Sequence, residues 1–119
     1  MNMNEYNLTN EIIDKIKADS VAMVCTLMGD DLKKVILYGS CARGDFTDDS
    51  DIDIALITDS DRMTAKKYND GLASIATDLA MKYLSVVNFV VLPSNEYNEK
   101  KSWYLFFRNI DQEGSILYG

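Results

Sequence analysis

Histidine is absent from this sequence of 119 residues, and cysteine occurs only as Cys25 and Cys41. Without histidine, the chain has no histidine-based zinc site and no nucleophile activated by a histidine base. Two cysteines are also too few for a disulfide framework. The metal chemistry that remains is that of hard cations, which bind carboxylate oxygens.

Positive charge is also scarce, since 12 lysines and arginines face 19 aspartates and glutamates, for a net charge of −7. A field of that sign repels phosphate backbones, so we expect no broad nucleic-acid surface. A nucleotide held through divalent cations is compatible with it, because the metal reverses the sign of an acidic pocket. A partner protein with a basic face is compatible as well.

Long apolar runs are missing too. No run approaches the roughly 18 to 20 residues that cross a bilayer, and residues 1–10 lack the basic start and apolar core of a signal peptide. We therefore expect a cytoplasmic protein that does not enter a membrane. No repeat or linker divides the sequence, so residues 1–119 are predicted to form a single domain.

The spacing of apolar residues predicts helices that alternate with strands. In chain order the predicted elements are a helix capped by Thr9 and ended by Gly29, the strands "KVILYG" and "DIDIALIT", a helix from about Thr64 to Tyr83, the strand "VVNFVVLP", a helical region after the N-cap Ser94 that carries Trp103, Phe106, Phe107 and Ile110, and the edge strand "SILYG". The predicted fold class is α/β or α+β, a small sheet flanked by helices. We expect the apolar stripes to be core residues.

Asp51 and Asp53 lie two residues apart in a predicted strand. Such side chains project from the same face with Cα atoms roughly 6 to 7 Å apart. Two ionised carboxylates at that separation repel each other, and divalent cations relieve the repulsion well. An alternative is that both line the solvated face of a half-exposed strand.

The turn before this pair favours the metal interpretation. Gly39 and Ser40 follow a strand directly, and glycine allows a phosphate to approach the backbone. The free N–H groups at the start of a short helix, the Ser40 hydroxyl and the Arg43 guanidinium are further phosphate ligands. Phosphate and metal are thus expected at adjacent strand ends.

These residues carry a resemblance. Gly39-Ser40, ten residues and then Asp51-Ile52-Asp53 resemble the G-S-x10-D-x-D signature of the DNA polymerase beta-like nucleotidyltransferase superfamily. The stretch "YGSCARGDFTDDSDIDIALI" is similar to the minimal nucleotidyltransferase (MNT) family, whose small single domains are often paired with HEPN-domain proteins. The C-terminal "FFRNIDQEGSILYG" resembles a related subgroup. The resemblance implies a small mixed β-sheet flanked by helices.

The resemblance also implies a reaction, namely transfer of AMP from ATP to an acceptor hydroxyl. It implies that Gly39, Ser40 and Arg43 bind the nucleotide and that Asp51 and Asp53 are catalytic and hold two Mg²⁺ ions. In MNT antitoxins the acceptor can be a tyrosine of a HEPN toxin, which implies a HEPN-domain partner here. A homo-oligomer is also possible.

One position departs from the superfamily, which commonly has a third aspartate on the next strand. Here Asn88 occupies the matching position. An amide ligates a metal weakly through its oxygen and cannot take a proton. Asn88 is thus a weak metal ligand at most, which leaves activity in doubt, and Asp78 on the preceding helix is a conceivable substitute.

Two other functions therefore stay open. One is a catalytically silent module that keeps the fold and binds a partner protein or a nucleotide. The other is modification of a small molecule of the aminoglycoside type, although the sequence offers no further domain for its pocket. Of the remaining candidates, Cys41 is expected to fit a tight turn, with a lowered pKa as the alternative. Ser50 is expected to shape the turn, and Arg108 is undecided between phosphate and surface acids.

Overall fold

The computed structural model describes residues 7–119, so residues 1–6 of the predicted domain lie outside the described residues. A four-stranded sheet has the order β3-β2-β1-β4. Its strands are β1 (Leu32–Tyr38), β2 (Ile52–Thr58), β3 (Val87–Pro93) and β4 (Ser115–Tyr118). β1 runs antiparallel to β2 and β4, whereas β2 and β3 are parallel. The predicted small mixed sheet is confirmed.

Six helices accompany the strands in the described part of the chain: α1 (Asn10–Met28), α2 (Ser40–Arg43), α3 (Arg62–Ala65), α4 (Asn69–Tyr83), α5 (Ser94–Lys100) and α6 (Leu105–Glu113). The predicted cap of α1 is confirmed, because the Thr9 hydroxyl accepts a hydrogen bond from the N–H of Ile12 at 3.2 Å. Gly29 follows α1 with φ +57° and ends it, as expected.

The helix predicted from Thr64 is two helices. Asp61 caps α3 by accepting a hydrogen bond from the N–H of Thr64 at 2.7 Å, and a 3-10 turn over residues 66–68 separates α3 from α4. Within that turn, the Tyr68 hydroxyl donates to the Asp31 carboxylate before β1. A contact so distant in sequence leaves no local signal, so apolar spacing alone cannot place this break.

The predicted helical region after Ser94 is also split, into α5 and α6. Pro93 is the N-cap and Ser94 is the first helical residue, so the predicted cap was wrong by one position. The split has a geometric reason. In one continuous helix, Tyr97 and Ile110 would point roughly 140° apart at about 100° per residue. The turn over residues 101–104 allows both side chains to be buried against the sheet, with exposures of 3% and 1%.

The helices cover both faces of the sheet. α1 and α4 pack on one face with Ile52, Ile54 and Leu56 of β2, whereas Tyr97 of α5 and Phe107 and Ile110 of α6 pack on the other with Ala55 and Ile57. β2 is therefore buried on both sides beyond Asp53, which overturns the alternative of a half-exposed strand. Within β2, the accessible polar side chain is Asp53, near the end of the strand that joins the loop.

Two aromatic residues that were predicted to be core are exposed. Trp103 is 66% exposed and Phe106 is 40% exposed, while their neighbour Phe107 is 3% exposed. Of the nine residues of α6, Phe107 and Ile110 are the buried ones. No helix within residues 7–119 combines the length and apolar character that a membrane span requires.

Candidate functional site

The candidate site lies at the edge of the sheet where β1 ends and β2 and β3 begin. The strand register aligns Tyr38 of β1 with Asp53 of β2, and Asp53 with Asn88 of β3. These three residues therefore form one row across the sheet. Since side chains alternate along a strand, they share the face on which α5 and α6 pack.

Asp51 and Asp53 converge on the amide of Asn88. Its Nδ2 donates to Oδ2 of Asp51 at 3.0 Å and to Oδ1 of Asp53 at 3.3 Å. Both carboxylates thus turn toward a single donor. Asp51 is exposed just before β2, whereas Asp53 is partly buried within it.

Electrostatics show that this pair gains from a cation. Burial raises the pKa of Asp53 and the charge of Asp51 raises it further, while the hydrogen bond from Asn88 opposes both. A divalent cation between the carboxylates removes the repulsion. Two carboxylates with open solvent around them suit Mg²⁺, which retains waters and binds substrate phosphates. These residues therefore fit Mg²⁺, and Asn88 could join them through its Oδ1 after its amide turns.

Gly39 is coupled directly to Asp53. Its φ of +77° is a conformation that disfavours every side chain, and a Cβ there would lie 2.6 Å from Oδ2 of Asp53. Glycine is therefore required for two independent reasons. The predicted phosphate turn and the predicted metal ligand are parts of one packed arrangement.

Ser40 begins the short helix α2 immediately after Gly39. The N–H groups of Ala42 and Arg43 both donate to the Gly39 carbonyl at 3.1 Å. The N–H groups of Ser40 and Cys41 precede these bonds and have no acceptor within the helix. Together with the Ser40 hydroxyl they are donors of the kind a phosphate needs.

The Arg43 side chain is held by two acidic residues. Its Nε lies 3.2 Å from a carboxylate oxygen of Asp45, and a terminal nitrogen lies 3.4 Å from Glu113 at the end of α6. The Asp45 contact is the main reason why the pKa of Arg43 is raised. In this conformation Arg43 joins the α2 turn to α6, and its role in nucleotide binding stays a prediction.

Cys41 holds the turn against the strand. Its thiol donates to the Asp51 carbonyl at 3.5 Å, and burial raises its pKa. The alternative of a lowered pKa was therefore wrong, and the expected fit of Cys41 in a tight turn is confirmed. Ser50 shapes the same loop as predicted, since its Oγ accepts from the N–H of Thr47 at 2.8 Å.

Two further candidates lie apart from this cluster. Asp78 is exposed on α4, which packs on the sheet face opposite Asp53. Within residues 7–119, no group of three or more acidic, cysteine or histidine side chains is arranged to hold a metal ion. The hypothesis that Asp78 substitutes for the third carboxylate is therefore wrong for this conformation. Arg108 is exposed on α6.

Sequence reasoning missed the part of Tyr38 in this site. The ring is partly buried beside Asp53, and burial first and the Asp53 charge second raise its pKa. The exposed Phe106 packs edge-on against it, with ring centroids 5.8 Å apart. The position of Tyr38 directly before Gly39 was a signal for proximity to the turn, but its pairing with Phe106 depends on the tertiary fold.

Comparison with known proteins places the fold in a family. The family described as Polymerase beta, Nucleotidyltransferase matches residues 25–119. The chain therefore belongs to the polymerase beta nucleotidyltransferase family.

Two known proteins are similar to this chain in sequence. MJ0604 of Methanocaldococcus jannaschii, named as a candidate protein adenylyltransferase, is 35% identical over 116 residues, which cover 98% of this chain and all of that protein. MJ0141 of the same organism, which carries the same designation, is 32% identical over 81 residues, 68% of this chain and 76% of that protein.

A solved structure resembles the fold. It is a complex of a tri-AMPylated Shewanella oneidensis HEPN toxin with its MNT antitoxin, with a TM-score of 0.54, 19% identity and coverage of 89% of this chain and 71% of the other. At this identity the likeness concerns the fold alone. It confirms the resemblance of the fold to MNT proteins.

Proposed function

We propose that this chain is a Mg²⁺-dependent adenylyltransferase that transfers AMP from ATP to a hydroxyl group of a partner protein, a tyrosine of a HEPN toxin. The convergence of Asp51 and Asp53 on one point beside Gly39 carries the proposal. The relative named as a candidate protein adenylyltransferase supports the reaction class. The complex with a tri-AMPylated HEPN toxin supports the partner and the modification.

In the proposed complex, Gly39 and Ser40 hold the triphosphate through backbone N–H groups and the hydroxyl. Asp51 and Asp53 hold two Mg²⁺ ions, with Asn88 as a weak third ligand. When bound, Mg²⁺ neutralises phosphate charge and fixes the position of the triphosphate, which is most of what phosphoryl-type transfer requires. Arg43 contributes a positive charge if it exchanges an acidic partner for a phosphate. ATP and Mg²⁺ are available in the cytoplasm, which remains the predicted location.

The proposed AMP transfer needs no reactant besides ATP and the acceptor hydroxyl. The acceptor oxygen forms a bond to the α-phosphorus, and the bond from that phosphorus to the bridging oxygen breaks, so pyrophosphate leaves with the electron pair. The hydroxyl proton must also leave. Because the Asn88 amide cannot accept it, we propose that the proton passes to solvent.

The test is label transfer from ATP labelled at the α-phosphate to a HEPN-domain protein encoded by an adjacent gene. We expect Asp51→Asn and Asp53→Asn each to reduce transfer on the order of 100-fold or more, since each removes a ligand for the charge-neutralising metal. Asp49→Asn is the matched control, because it removes a charge from the exposed loop next to the pair. Transfer that survives in both site variants would contradict the proposal.

A second candidate function is a silent module that binds the partner without transfer. The observation that favours it is the Asn88 amide, which donates a hydrogen bond to each carboxylate and cannot accept a proton. Calorimetry distinguishes the two. A silent module binds the HEPN protein equally well with and without Mg²⁺ and ATP and yields no labelled product, whereas the enzyme binds Mg²⁺-ATP and loses that binding in Asp53→Asn.

A further inference from the structure

β3 has a free edge. The strand order places it at the margin of the sheet, where β2 is its only neighbouring strand among residues 7–119. The N–H of Ile52 donates to the Val86 carbonyl at 2.8 Å. Since backbone groups alternate in direction along a strand, Asn88 and Val90 also face β2. The N–H and carbonyl groups of Phe89 and Val91 therefore point outward.

A groove runs along this edge between β3 and the helices α3 and α4. Its cavity volume is about 610 Å³. On the α4 side its lining includes the small side chains of Ala73 and Ala76. Asn88 lines the groove and also donates hydrogen bonds to both site carboxylates. The groove is thus continuous with the candidate site.

The groove carries positive charge in a chain of net charge −7. Arg62 and Lys66 both line it. Arg62 is occupied by Glu96, which accepts two hydrogen bonds from it at 2.6 and 2.9 Å. Lys66 is exposed and forms no ion pair with any residue in 7–119. An acidic side chain of a ligand would therefore be favoured at this position.

We propose that this groove binds an extended, acid-bearing segment of the acceptor protein as an additional strand on β3. Outward N–H and carbonyl groups supply affinity in such strand addition, and Lys66 selects the acidic side chain. The inference rests on the proposed function and names how its partner is held. The proposed acceptor site is separate from the nucleotide site, because Gly39 lies at the end of β1 whereas the groove runs along β3.

The position of the groove suits delivery of a hydroxyl. Asp53 lies on β2 between Tyr38 of β1 and Asn88 of β3, so the turn at Gly39 and the part of the groove lined by Asn88 flank it on opposite sides. In-line transfer needs the acceptor and the leaving group on opposite sides of the phosphorus. Three residues of an extended segment cover about 10 Å, which carries a hydroxyl from Val91 to Asn88.

Hydrogen exchange of individual amides, measured by NMR, tests the inference with the HEPN-domain protein as the probe. In the free chain, Phe89 and Val91 should exchange fast and Val90 slowly. Addition of the HEPN protein should slow Phe89 and Val91 at least tenfold, whether or not ATP is present. If the HEPN protein does not protect Phe89 and Val91, the inference is wrong. It is also wrong if a non-hydrolysable ATP analogue alone protects them.

Kinetics separate this inference from the proposed function. Lys66→Glu should raise the KM for the HEPN protein about tenfold and leave the KM for ATP unchanged, whereas Lys34→Glu, an exposed lysine of β1 outside the groove, should change neither. Val91→Pro removes one outward N–H and should act in the same way. Transfer with unchanged acceptor KM in both groove variants overturns the inference and leaves the proposed function standing.

Discussion

At the scale of single residues, Gly39 and Asn88 govern the candidate site. Gly39 lets the turn pass against the Asp53 carboxylate, and Asn88 holds that carboxylate and Asp51 together. Neither residue carries a charge, yet together they fix where the charges lie. Substitutions at these two positions therefore probe the site without removal of an acid.

Replacing Gly39 with alanine should disturb Asp53 directly. The new Cβ would lie 2.6 Å from Oδ2, so the carboxylate would have to shift. Gly44→Ala is a matched control, because Gly44 also has positive φ, +85°, but has no atom within 4 Å of the added Cβ. We expect Gly39→Ala to lower the free energy of unfolding about 1–3 kcal/mol more than Gly44→Ala. Urea titration measures the difference, and equal losses would contradict the contact.

Replacing Asn88 with aspartate should restore a metal ligand and a proton acceptor. We expect transfer at neutral pH to rise on the order of 100-fold, the typical gain from a positioned base. The dependence of rate on pH should also flatten, since the acceptor proton no longer passes to solvent. Unchanged rates and an unchanged pH profile would show that Asn88 does not occupy the third-ligand position.

The same variant has a consequence for stability. Three carboxylates without a metal repel one another, so the melting temperature of Asn88→Asp should fall in EDTA and recover with Mg²⁺. Asn98→Asp adds the same charge on α5, and its melting temperature should not respond to Mg²⁺.

At the scale of secondary structure, the sequence predicted what depends on local pattern. Thr9, Gly29 and the apolar stripe between them located α1, and β-branched runs located the strands. It did not predict the break before α4 or the turn between α5 and α6. Those interruptions depend on Asp31 and on the sheet face that Tyr97 and Ile110 share, which are contacts across the fold.

In the candidate site, too, the features with a local sequence pattern were predicted and those that depend on tertiary contacts were not. The spacing of Gly39, Ser40, Asp51 and Asp53 was readable because one strand and one turn carry it. The ion pair from Arg43 to Glu113 and the ring contact from Tyr38 to Phe106 were not readable, since each joins parts of the chain about 70 residues apart.

Tyr97 makes the packing of α5 testable. Burial is the main cause that raises its pKa to about 12 from 10.0. Between these values the unfolded chain releases the proton and the folded chain keeps it, so stability falls as pH rises from about 10 to 12. In Tyr97→Phe this loss should shrink by about 1–3 kcal/mol. Urea titrations across this range measure it, with Tyr118→Phe on the edge strand as the control; equal pH dependence in wild type and Tyr97→Phe would contradict the assignment.

At the scale of the whole molecule, the net charge and the strand order are both consistent with the proposed function. The chain is acidic overall, and under the proposed function its two site carboxylates need cations before they can meet a triphosphate. The sheet places the predicted phosphate turn at the end of β1 and the groove that contains Lys66 along β3, with Asp53 between them. A nucleotide and a protein acceptor can therefore approach the same carboxylates from two sides.

The most direct test of AMP transfer by this chain is intact-mass and peptide mass spectrometry of the HEPN-domain protein after incubation with the chain, ATP and Mg²⁺. The account predicts that the HEPN protein gains the mass of AMP on a tyrosine, that EDTA prevents the gain, and that Asp53→Asn abolishes it while Asp49→Asn does not. A HEPN protein that binds the chain but keeps its original mass under these conditions would contradict the account.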